Sequence, residues 1–181
     1  MEGIFKAIEA GNSWLNGIVW GIPALVLLMG AVALAEDMTL PEKLAAAEEE
    51  VLQWFDGGGE IAREDARRAV EYLLERGEAL FAGEAEWTDE EAVAAAQAVT
   101  YLEKLCENVS IAIDSPVVRL CSAMRTAVEL LFKQGLSWED SGVESYAIAF
   151  ESARDELNAD MDAHLNALLA SGEDAQADPA A

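Results

Sequence analysis

From Thr39 to about Ala170, apolar residues return at helical spacing, and no segment alternates strictly enough to read as a strand. The pattern predicts an all-α body. After Thr39, a stripe of Leu44, Ala47, Val51 and Phe55 runs until Gly57-Gly58-Gly59 stops it. A second helix carries Ala62, Ala66, Ala69, Leu73 and Leu80, with Gly77 as its weak point and Gly83 as its end. A third follows Thr88 with Leu102, Cys106, Val109 and Ile113, and Asp114-Ser115-Pro116 turns the chain. The fourth carries Val117, Leu120, Cys121, Met124, Val128 and Leu131 to near Gly135. The fifth runs unbroken from about Trp138 to Ala170, with Tyr146, Phe150, Ala153, Leu157, Met161 and Leu168 on one side.

Three hydroxyl–carboxylate pairs at capping-box spacing start these segments: Thr39 with Glu42, Thr88 with Glu91, and Ser137 with Asp140. Each hydroxyl is placed to accept from an orphan N–H, and each carboxylate favours the positive end of the helix dipole. Successive caps lie 49 residues apart, and Leu44–Ala47 overlies Val93–Ala96 at that offset. The arrangement reads as an antiparallel bundle of about five helices, with a degenerate helical-hairpin repeat as a variant of it. Residues 171–181 read as a disordered tail.

Ahead of this body (36–170) stands a segment of another character, residues 1–35. Leu15–Ala35 holds 21 residues without an ionisable group. As a helix it would span about 31 Å, matching a bilayer's hydrocarbon core. Trp14 and Trp20 suit an interface, and Pro23 is tolerable near the first turns. Two outcomes fit: a membrane anchor, or a signal segment cleaved near Ala35, where Ala33-Leu34-Ala35 has the small-x-small form. Both place the body outside the cytoplasm, either tethered through residues 15–35 or released as a secreted or periplasmic protein.

The run Leu15-Asn16-Gly17-Ile18-Val19-Trp20-Gly21-Ile22-Pro23, after Met1-Glu2-Gly3-Ile4-Phe5 and before Leu25–Gly30, resembles the start of the sodium:alanine/glycine symporters. The resemblance covers residues 1–30. It implies further membrane spans and a substrate site at the bilayer midplane, and residues 36–181 contain no second apolar run of spanning length.

Charge narrows the partners. Eleven basic side chains face thirty-five acidic ones, giving a net charge of −24. Residues 1–35 hold only Glu2, Lys6 and Glu9, so nearly all of it lies on the body. Such a field repels phosphate backbones, which excludes nucleic acid as a partner, and it suits a basic protein surface or, more weakly, divalent cations.

Candidate chemistry is sparse. Cys106 lies eight residues before Asp114 and Cys121 seven after it, so a hairpin turning there brings them to one level. A disulfide between them would close a short loop and contribute about 3 kcal/mol, if the compartment is oxidising; otherwise they are two buried thiols. His164 is the only histidine, four residues after Asp160, and that pair is the one candidate for a metal ligand set. Its competing reading is a histidine at the edge of an apolar stripe beside a carboxylate. Glu48-Glu49-Glu50 point in different directions around a helix and build no cage. Asn108-Val109-Ser110 matches a glycosylation triplet but is expected mid-helix, and Trp54, Trp87 and Trp138 are expected to plug the bundle's ends. No catalytic set converges and no cofactor is implied. The sequence therefore points to a non-enzymatic binding or assembly module. A transport-associated subunit, or a truncated relative of the symporters, is the alternative, and a metal-binding helical protein the third reading.

Overall fold

Thr39, Thr88 and Ser137 each stand immediately before a helix in a computed structural model that describes residues 37–83 and 87–170. The Thr88 hydroxyl accepts the Glu91 N–H at 3.2 Å, and the Glu91 carboxylate accepts the Thr88 N–H at 2.8 Å. Glu42 likewise accepts the Thr39 N–H at 2.8 Å, and the Ser137 hydroxyl accepts from Asp140 at 3.2 Å. The reciprocal pair is complete at Thr88; the Thr39 hydroxyl donates to the Glu42 carboxylate at 2.7 Å instead of accepting from an N–H, and the Asp140 carboxylate accepts from the Ser137 hydroxyl at 2.6 Å.

The described residues are all helical, without strands. They comprise α1 (Leu40–Asp56), α2 (Arg63–Phe81), α3 (Asp89–Val109) and α4 (Pro116–Ala127), the last continued by a π-helical segment, Val128–Lys133. A short α5 (Trp138–Ser141) and a 3₁₀ turn (Val143–Tyr146) lead to α6 (Ala147–Ala159) and α7 (Met161–Leu169). The apolar segment 15–35, the junction at Ala35 and the tail 171–181 lie outside the described residues. Among the described residues no helix is long and apolar enough to cross a membrane.

α3 is the axis of the bundle. Residues Ala95–Leu102 are buried without interruption, so this helix is covered on every side. Its alanines have little side-chain bulk, which lets neighbouring helices approach closely. α1 packs chiefly on α3 and not on its sequence neighbour α2, so the first two helices do not form the hairpin that a repeat would require. α1 and α3 run in the same direction: Lys43 reaches Asp89 at 3.2 Å near their N-termini, and the Phe55 ring stacks on Tyr101 at 5.5 Å further along. α2 and α4 run antiparallel to α3, as the pairs Arg76–Glu91 and Arg125–Glu103 show. α6 covers α4, and α7 closes over the start of α2, where Arg63 and Arg67 both meet Asp162. That pairing, Arg63 first, holds the Asp162 carboxyl below its usual range.

Three sequence expectations are corrected here. The fifth helix is not continuous: Gly142 adopts a left-handed φ of 65°, and Asp160, at φ −153° and ψ 71°, separates α6 from α7. The break lets Leu165 and Leu168 turn inward independently of Phe150 and Leu157. α3 stops at Val109, with Ser110 left-handed at φ 50°, so Ile113 is 87% exposed in the turn and does not continue the stripe. For the same reason Asn108 lies in the final turn of α3, not in mid-helix. The tryptophans do pack near helix ends: Trp54 against Phe55, Trp87 stacked on Phe132 at 5.1 Å, and Trp138 against Phe81.

Candidate functional site

A groove of about 510 Å³ opens between α3 and α4, lined among others by Glu103, Cys106, Glu107, Cys121, Ser122 and Arg125. Arg125 organises it. The guanidinium donates to Glu103 at 2.6 Å, to Glu48 of α1 at 2.5 Å and to the Thr100 hydroxyl at 2.8 Å. Thr100 in turn donates to the Ala96 carbonyl at 2.8 Å, so its oxygen is presented to Arg125. Lys133, in the π-helical segment, donates to the second Glu48 oxygen at 2.8 Å. One carboxylate of α1 is thereby clamped by two cations of the α4 strand of the bundle. Burial pulls the Arg125 pKa down, but hydrogen bonding and charge from Glu103, then from Glu48, outweigh it, and the net shift is upward.

The two cysteines are brought together at this groove as free thiols. Burial first, then the Glu103 charge, pushes the Cys106 thiol up to about 11. Cys121 is raised too, by burial, then by Cys106 and Glu103. Arg125 lowers the Cys121 value, but not enough to offset burial, so both thiols are protonated at neutral pH and neither is an activated cysteine. His164 lies on α7 and does not line the groove.

Of the two metal candidates, Asp160 serves as a helix cap. The Asp160 carboxylate caps α7, accepting the Ala163 N–H at 3.0 Å, and the His164 N–H donates to the Asp160 carbonyl at 3.4 Å. Among the described residues no three His, Cys, Asp or Glu side chains are grouped to hold an ion. The glutamate run diverges as its helical placement requires. Glu48 joins the Arg125 network, Glu49 accepts from Gln53 at 3.1 Å, and Glu50 has one buried oxygen without a partner among the described residues, its pKa raised by burial.

Sequence reasoning did not find the Arg125 network. A signal existed: Arg125 follows the apolar stripe of Leu120, Cys121 and Met124 directly, where a cation needs a partner. Gln97 was missed as well. It is 2% exposed on α3, and neither end of its amide has a hydrogen-bond partner among the described residues; the buried Tyr101 hydroxyl is in the same position. Gln97→Leu is expected to raise stability by about 1–2 kcal/mol, since it removes an unpaired amide at similar volume. Urea unfolding reads the change; a loss of stability would show that the amide is hydrogen-bonded after all.

No protein-family description matches this chain, and neither a curated protein nor a solved structure matches it. The reading of function therefore rests on the residues themselves.

Proposed function

We propose that the chain is a non-enzymatic binding or assembly module, an acidic helical body held at a membrane or delivered across one by residues 15–35, which engages a basic surface of a partner protein. One observation supports this above the others. Of the eleven basic residues only Lys6 lies outside the described residues, and each of the remaining ten makes an ion pair with a carboxylate of the same chain. Eight of the thirty-five acids fall outside the described residues, which leaves twenty-seven carboxylates against ten cations there, a balance of −17. The cations are occupied by contacts within the chain, most of them between helices, while carboxylates such as Asp114, Glu139 and Glu144 stand exposed. The outward field has one sign. A surface of this kind steers a cationic partner and repels anionic ones. Asp160 is engaged as a helix cap and neither thiol is activated for nucleophilic catalysis at neutral pH, which favours binding over catalysis.

The full chain, extracted in mild detergent from the membranes of its source, is expected to retain a second polypeptide at about 50 mM salt and to lose it by about 500 mM, because exposed charge pairs are screened over that range. Replacing Asp114, Glu139 and Glu144 with the corresponding amides should weaken retention without changing the fold, as judged by circular dichroism. Retention indifferent to both salt and these substitutions would reject the electrostatic reading.

A further inference from the structure

Two thiols stand at the α3–α4 groove, and the proposed binding role uses neither. Cys106 is half-buried at the groove, whereas Cys121 is only 2% exposed. The pairing of Glu103 with Arg125 fixes the register between the two antiparallel helices. Each step forward on α3 is matched by a step back on α4, so Cys106 falls level with Cys121 and Ser122. Consistent with this, Cys121 lies within the electrostatic reach of Cys106.

We propose that Cys106 and Cys121 form a redox site, in which the groove admits a disulfide-bearing thiol carrier that exchanges into a Cys106–Cys121 bond stapling α3 to α4. The order of events follows from access. Because burial holds both thiols protonated near neutral pH, exchange runs through a small thiolate fraction and quickens as the pH rises: Cys106 gives up its proton to solvent, and its sulfur attacks one sulfur of the incoming disulfide, whose S–S bond breaks and releases one carrier thiolate. Cys121 then gives up its proton and attacks the Cys106 sulfur of the mixed disulfide, expelling the second carrier thiolate. The two cysteines together lose two electrons and two protons; the carrier disulfide gains both and leaves as two thiols. The reverse exchange with a carrier dithiol reopens the site. Because α3 is the axis and α4 carries Arg125, the staple joins the central helix to the one that clamps α1.

The inference is independent of the proposed partner and has a separate readout. The full reduced chain in mild detergent is incubated with oxidised glutathione and followed by intact mass. The wild type is expected to lose two hydrogens, reversibly with dithiothreitol. Cys121→Ala should stop at a single glutathione adduct on Cys106, and Cys106→Ala should form its adduct about tenfold more slowly, because the remaining thiol is buried. A wild-type chain that keeps a glutathione adduct without closing, or that links to a second copy instead, would overturn the proposal. So would equal adduct rates in the two variants. Circular dichroism of both variants separates a folding failure from a chemical one, and the wild-type mass alone decides the main point.

Discussion

Gly77→Val should cost about 3 kcal/mol or more, a large part of the roughly 5–15 kcal/mol that holds a domain of this size together. A Cβ at position 77 would lie 2.2 Å from Cε2 and 2.6 Å from Cζ of Phe150, and 2.9 Å from Sδ of Met124. None of these atoms has room to retreat. Phe150 is 1% exposed and rests against the Phe81 ring at 4.9 Å, and Met124 is fully buried. Alanine in the middle of a helix gains about 1 kcal/mol over glycine in intrinsic preference, whereas overpacking a dense core costs about 1–3 kcal/mol. Contacts this short put the cost at the upper end of that range, so Gly77→Ala should still destabilise, by about 2 kcal/mol, and valine adds two further methyl groups to the clash. Trimming the opposing ring provides the check. In the Gly77→Ala, Phe150→Leu pair the two losses should be clearly less than additive, since the smaller side chain vacates the space that the new Cβ needs. Denaturant unfolding of the four members of the cycle measures the coupling. A neutral or stabilising Gly77→Ala would mean that α6 does not seat Phe150 against α2.

The second large effect is expected at Arg125. Arg125→Met leaves Glu48 and Glu103 near one another with their shared cation gone, and Lys133 can answer only Glu48. Breaking a fully buried pair costs about 3–5 kcal/mol. These side chains are 26%, 18% and 36% exposed, so solvent screens part of that, and about 2 kcal/mol is the expected loss. Arg125→Lys should recover less than half, because an ammonium cannot hold Glu103, Glu48 and Thr100 together in the fork geometry of a guanidinium. Arg119→Met, which removes a more exposed pair with Glu156 along with hydrogen bonds to Ser152 and the Asp114 carbonyl, should cost clearly less than Arg125→Met and serves as the control. Thermal and urea unfolding of the three variants read the difference; equal losses at positions 119 and 125 would show that the α1–α3–α4 network contributes no more than an ordinary surface bridge.

Both positions show how a local reading misjudges a residue. From sequence, Gly77 is a weak point in a helix, because glycine lacks the side chain that restricts the unfolded backbone. In the folded protein it is the recess that accepts an aromatic ring from a helix some seventy positions later. Likewise the third helix looks amphipathic along Leu102, Cys106, Val109 and Ile113. The alanines beside that stripe carry little hydropathic signal, yet they are what allow α3 to be surrounded. The candidate thiol pair was legible because a hairpin turn is a local event whose two arms count outward equally. The Arg125 cluster was not, since its partners sit 22 and 77 residues away.

The chain's own order of residues determined where α1, α3 and α5 begin, because a cap is satisfied within three residues, and it determined the sign of the surface, because charge is a property of composition. The same local patterns made the body all-helical. Only the tertiary structure decided that α1 lies along α3 and not α2, that the last helical stretch breaks at Gly142 and Asp160, and that every described cation is engaged by a carboxylate. Those outcomes depend on which apolar faces meet and at what distance, and complementarity between distant surfaces leaves no periodic trace in either segment alone.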